Sequence, residues 1–154
     1  MNPVVIVLIL AAGAALMYFQ YRQRQTVKAL SDRLSRLLME GRYDEFEELL
    51  RDRNTRVNLS DYNLQYLAFT EAVLLNRKKE ADKAFDAMPG LRVNNTQKAS
   101  FYSRAMPYYA EKKDEKRTEV CYEQILALTG FRELKESTEK MYRLLKEQNE
   151  NTIN

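Results

Sequence analysis

The chain contains no histidine and no tryptophan, one cysteine, four glycines and three prolines in 154 residues. Without histidine it lacks the commonest general base and the commonest zinc ligand, and a Ser-His-Asp triad is excluded. The lone Cys121 cannot form an intrachain disulfide, which suits a reducing compartment. With no histidine to activate it, and with helical spacing that puts it on an inner face, Cys121 reads as a buried structural thiol. Scarce glycine and proline argue against an all-β fold, which needs frequent turn residues, and favour helices joined by short loops. A glycine-rich phosphate loop, a Cys/His metal spacing and an EF-hand pattern are all missing from the sequence. No catalytic residue, metal ligand or cofactor is therefore assigned, and an enzyme is not expected.

An excess of one charge is missing too. The 25 basic and 22 acidic residues are interspersed, for a net charge of +3. No block of like charge is long enough for a nucleic-acid arm, so no nucleic-acid partner is expected. One stretch, from Val4 to Phe19, has no charge at all. As a helix it covers about 24 Å, or about 28 Å with Gln20 and Tyr21 as its interface, against a hydrocarbon core of about 30 Å. Tyr18, Phe19 and Tyr21 fall where an aromatic belt belongs, with Arg22 and Arg24 at headgroup level.

Residues 1–21 are accordingly expected to form a single transmembrane helix in the lipid bilayer. A buried core helix would carry a polar stripe, which this segment lacks. A cleaved signal peptide fits the small residues Ala12-Gly13-Ala14, but Met1-Asn2-Pro3 has no basic side chain. Arg22, Arg24, Lys28, Arg33 and Arg36 are opposed only by Asp32 in the following stretch. The positive-inside rule then puts the C-terminal domain in the cytoplasm. Ala11, Gly13 and Ala15 are the candidate positions for close packing on other transmembrane helices.

Beyond the apolar run, hydrophobic residues recur at helical spacing. Val27, Leu30, Leu34, Leu37 and Leu38 continue from it without Pro or Gly until Gly41, so one long helix is expected to enter the domain. A second helix carries Tyr43, Phe46, Leu49 and Leu50, with Asp44 and Glu45 where the helix dipole favours acids. The stretch 53–59 reads as a polar loop and Ser60 as an N-cap. A third helix then follows through Leu64, Leu67, Ala68, Glu71, Leu74 and Leu75. The fourth carries Ala81, Ala84, Phe85 and Met88 and stops at Pro89-Gly90. The fifth begins near Thr96 and carries Phe101, Tyr102, Ala105, Met106 and Tyr109, with a kink expected at Pro107. The sixth begins near Asp114 and ends at Gly130. The seventh runs from Phe131 to about Gln148, with Phe131, Leu134, Thr138, Met141 and Leu145 on one stripe. Residues 22–148 thus form the helical domain, and 149–154 a polar tail expected to be disordered.

These helices pair, and the second member of each pair starts on a similar skeleton. Phe46, Ala81 and Thr118 align, 35 and 37 residues apart. A period in that range means stacked helical hairpins, each too small to bury its face alone. The pattern resembles the tetratricopeptide repeat over about residues 27 to 128. Gly41, Tyr43 and Phe46 match that family's inter-helix turn and second-helix start. Ala81, Phe85 and Met88 match its small, aromatic and small-to-medium positions. Phe69 and Met106 stand where the family has a small residue, and Pro89 comes before the usual closing proline. The resemblance implies an all-α, tetratricopeptide-like α-solenoid whose last helix is a cap. It also implies a groove for a protein or peptide partner, with Asn63, Tyr66, Thr70, Ser103 and Arg104 as its candidates. The expected function is a membrane-anchored adaptor or scaffold. The alternatives are a non-catalytic subunit of a larger membrane complex and an exported helical-repeat domain released by signal cleavage.

Overall fold

The structure, a computed structural model, describes the backbone of residues 3–153 and the side chains of residues 13–147. Among the described residues it is all-helical: α1 (Pro3–Met39), α2 (Tyr43–Arg51), α3 (Arg53–Asn58), α4 (Asp61–Leu74), α5 (Lys78–Ala87), a 3-10 turn (Met88–Gly90), α6 (Asn95–Glu111), α7 (Glu115–Leu126) and α8 (Arg132–Ile153). The chain divides into two compact units, Met1–Leu64 and Gln65–Asn154.

In the first unit, α1 joins the apolar run and the first amphipathic segment into one helix of 37 residues, about 55 Å long at 1.5 Å per residue. Its only interior glycine is Gly13, and no proline follows Pro3. The helix packs on α2 and α3, and among its described side chains the buried ones, Leu34, Leu37 and Leu38, lie in its last two turns. Phe46 is the buried anchor of α2. The expected polar loop at 53–59 is instead the short helix α3. The Asp52 carboxylate caps it by accepting the Thr55 N–H at 3.1 Å, and Thr55 and Leu59 are buried. Ser60 takes its expected capping role, its Oγ accepting the Asn63 N–H at 3.2 Å.

Among the described residues no helix is long and apolar enough to cross a membrane. The first twelve side chains of the expected span, 1–21, including that of Ala11, lie outside the described residues. Gly13 has no heavy atom within 4 Å of the place a Cβ would take, and Ala15 is exposed.

The second unit is built on aromatic side chains. Phe69, Phe85, Phe101, Tyr102 and Tyr109 are buried together, with Phe69–Phe101 centroids at 4.9 Å and Phe85–Tyr109 at 5.0 Å. α6 packs on α7, and α7 on α8. A capping box starts α6: Asn94 Oδ1 accepts the Gln97 N–H, and Gln97 Oε1 accepts the Asn94 N–H. The helix then continues through Pro107 as a single element to Glu111. α8 docks by stacking Tyr142 on Tyr122, with ring centroids 4.1 Å apart, and by burying Thr138. Phe131 does not join its stripe; it precedes the helix with φ 55° and is exposed. Leu74, counted with the core of the third helix, is half exposed. The backbone of α8 runs into the segment assigned to a disordered tail, whose side chains lie outside the described residues.

One turn geometry occurs three times. Gly41, Asn76 and Lys113 have φ of 70°, 54° and 54°. In each case the residue's N–H bonds back three residues, and the next N–H bonds back five: Gly41 to Leu38 and Arg42 to Leu37, Asn76 to Val73 and Arg77 to Ala72, Lys113 to Ala110 and Asp114 to Tyr109. This is the Schellman arrangement, which satisfies the last carbonyls of a helix. Seven residues before each turn residue lie Leu34, Phe69 and Met106, all with no exposed surface. Five residues after lie Phe46, Ala81 and Thr118, all buried. The large residues Phe69 and Met106 are thus accommodated as core.

Left-handed backbone costs a side-chain-bearing residue about 1–2 kcal/mol and glycine almost nothing. A Cβ at Gly41 would meet only Tyr43 Cε2, at 3.9 Å, so Gly41→Ala tests backbone strain alone. Gly41→Ala is expected to lower unfolding stability by about 1 kcal/mol and Lys113→Gly to raise it by about 0.5 kcal/mol. Urea unfolding of the purified chain measures both, and shifts of the same sign would contradict the shared geometry.

Candidate functional site

The structure brings two of the five groove candidates together. Tyr66 on α4 is half-buried and Arg104 on α6 is exposed, and the guanidinium carbon of Arg104 lies 5.9 Å from the Tyr66 ring centroid. Ser103, beside Arg104, donates its hydroxyl to the Ala99 carbonyl at 2.6 Å, so its proton is engaged within its own helix. Thr70 is 7% exposed, with a buried Oγ1 that has no hydrogen-bond partner among the described residues, and offers a partner little surface. Asn63 belongs to the first unit and is half-buried. The accessible part of this face is therefore an aromatic ring with a cation over it, from the residue types that dominate binding hot spots.

A concavity of about 810 Å³ opens beside the 3-10 turn. Leu91, Arg92, Lys98, Tyr102, Val120 and Gln124 are among its lining residues, and none of the lining residues is acidic. Its cations suit acidic side chains. Sequence reasoning missed it because Leu91 to Asn94 read only as the connection after Pro89-Gly90.

Also missed was an ion-pair cluster between α5 and α7. Lys78 Nζ lies 2.9 Å from Asp82 and 3.0 Å from Asp114. The Arg117 guanidinium reaches Asp114 at 3.0 Å, Asp86 at 3.1 Å and Asp82 at 3.5 Å. Beneath it the fully buried Tyr109 ring faces both cations, Arg117 at 5.6 Å and Lys78 at 5.9 Å. Burial, reinforced by the neighbouring Asp82 carboxylate, pushes the Tyr109 hydroxyl far above its ordinary range. Hydrogen bonds to Asp82 and then Asp114 raise the Lys78 ammonium. Burial works against the charge on Asp114, but hydrogen bonds from Lys78 and Arg117 outweigh it and hold that carboxyl below its usual range. Each shift fixes a group in its ordinary neutral-pH state, whereas acid–base catalysis tunes groups towards neutrality. The cluster ties two helices together.

Cys121 has no exposed surface, and burial pushes its thiol up to about 12. At neutral pH it is protonated and walled in, neither of which suits a nucleophile. Among the described residues no group of three or more acidic or cysteine side chains is placed to hold a metal. Among the described residues, α1 carries a run of exposed large apolar side chains: Leu16, Met17, Tyr18, Phe19 and Tyr21 are 65%, 71%, 63%, 74% and 63% exposed. Set against family models, curated proteins and solved structures, the chain matches none.

Two expectations follow. Deprotonating Cys121 is disfavoured only in the folded state, so its contribution to stability is intact below about pH 8.5, the ordinary thiol range. That contribution is lost as pH rises from there through about 12. A thiol reagent at pH 8 is expected to leave the folded chain unlabelled and to label it fully in denaturant. Stoichiometric labelling without denaturant would contradict the burial. For the Tyr66–Arg104 pair, a double-mutant cycle with Tyr66→Ala and Arg104→Ala is expected to give a coupling of about 0.5–1 kcal/mol, the value of an exposed cation–π contact. A coupling of zero would remove the pair.

Proposed function

We propose that the chain is a membrane-anchored adaptor, with a tetratricopeptide-like array of helical hairpins held at the cytoplasmic face to bind protein partners. The observation that carries the anchor is the exposed apolar end of α1. Leu16, Met17, Tyr18 and Phe19 are consecutive, and at about 100° per residue they point in every direction around the helix. A helix lying in the plane of a membrane needs a polar face, and this segment has none. Burying such a side chain gains about 1.5–3 kcal/mol, so a surrounding hydrocarbon phase satisfies a surface that no packed neighbour covers.

The array is supported by the turn that recurs at Gly41, Asn76 and Lys113 and by the buried positions in register with it. The orientation follows from Arg22, Arg24, Lys28, Arg33 and Arg36, which are all exposed after the apolar run. The partner face is the one that carries Tyr66 and Arg104. Tethering it raises the effective concentration of what it binds at the membrane.

Leu8→Arg, about 5 Å from the centre of the span, is expected to cost up to about 2.5–3.5 kcal/mol of insertion free energy, the value for a charge at the centre itself. A substantial share of the variant then moves to the carbonate-soluble fraction while the parent chain stays in the pellet. Equal partitioning of the two chains would remove the anchor.

A further inference from the structure

We infer that Arg22, Arg24 and Lys28 form a collar around α1 that binds the headgroups of anionic phospholipids. The inference rests on the anchor reading and names the lipid chemistry that the anchor selects.

The geometry comes from the unbroken helix. α1 continues through Tyr21 to Met39 as one element, so each side chain's distance from the interface is fixed by the helical rise. Measured from Tyr21, Arg22 stands about 1.5 Å along the axis, Arg24 about 4.5 Å, Lys28 about 10 Å, Arg33 about 18 Å and Arg36 about 22 Å. Screening at physiological salt has a length of about 8 Å. The first three cations lie within or close to that length and the last two well beyond it. The rotation of about 100° per residue puts Arg22 and Arg24 on opposite sides of the helix, with Lys28 above Arg24. An upright helix surrounded by lipid can use both sides.

These cations are also available. Arg22, Arg24 and Lys28 are all exposed. The ion pairs described in the first unit use Arg42 and Arg51 as their cations, with Glu40, Glu45 and Glu47. The only acid between residues 22 and 36 is Asp32. It lies about 17 Å along the axis from Tyr21, beyond the screening length from the interface, and one turn, about 6 Å, past Lys28, so Arg22 and Arg24 are the cations farthest from it. Long Arg and Lys stems can lie along the apolar boundary while their charges reach phosphate oxygens. A cation at a membrane surface favours anionic lipid by about 1 kcal/mol, close to fivefold.

The test uses the full chain in phosphatidylcholine vesicles that carry a trace of spin-labelled phosphatidylserine or spin-labelled phosphatidylcholine. The motionally restricted fraction of each label gives the selectivity ratio. The ratio is expected to favour phosphatidylserine several-fold at physiological salt, where the screening length is about 8 Å, and to approach one in 1 M salt, where it shortens to about 3 Å. The triple variant Arg22→Gln, Arg24→Gln, Lys28→Gln is expected to bring the ratio close to one. Arg33→Gln with Arg36→Gln is expected to preserve it. A ratio of one for the parent chain, with both labels restricted, overturns the collar and leaves the anchor standing. An equal loss in the double variant overturns the distance argument and assigns the effect to net charge. Absence of a restricted fraction for either label overturns the anchor and the collar together.

Discussion

The burial of Leu34, Leu37 and Leu38 against α2 and α3 marks the point at which α1 becomes part of a protein core. Before it on that helix, the described side chains from Ala14 to Thr26 are all exposed. From Tyr21 to Leu34 the rise is about 20 Å, and no Pro or Gly lies between them. Sharp kinks in helices need such residues or an inserted group, so the stretch works as a stiff stalk. An apolar end, a basic collar and a packed end are thereby set in fixed axial order, and the proposed anchor, lipid contact and adaptor all follow from that order.

The hairpins obey a different constraint. A left-handed residue with its two back-bonds reverses the chain at Gly41, Asn76 and Lys113, and only the first of these is a glycine. Asparagine tolerates that conformation through its short polar side chain, whereas lysine bears the strain outright. In the second unit the aromatic core offsets such costs, and the cluster of Lys78, Asp82, Asp114 and Arg117 sets how α5 meets α7. Partly buried ion pairs of this kind add little net stability but penalise any other register, since a shift leaves charges unpaired.

Helix order was legible in the sequence because apolar spacing and stop residues agree there. Gly41 ends α1, Asp114 caps α7, and Phe46, Phe85 and Tyr109 are buried as their spacing requires. α3 was hidden because six residues give no apolar period; its signal is Asp52 placed to cap Thr55. The clasp between α5 and α7 joins residues 31 to 36 apart in sequence, and charge spacing within one helix carries no information about such pairs. Thr70 was assigned to the groove by register, but its burial is decided by neighbours that register does not specify. Tyr66 and Arg104 lie side by side because α4 and α6 place them so, a pairing that spacing within either helix does not specify.

The proposed anchor requires α1 to be one lipid-embedded helix continuous with the domain. Amide hydrogen exchange of the full chain in phosphatidylcholine vesicles tests it residue by residue. The account predicts slow exchange across Val4 to Phe19, protection that continues without a gap to Met39, and a break at Gly41. Rapid exchange across the apolar run in vesicles, or an unprotected gap between Phe19 and Val27, would contradict it.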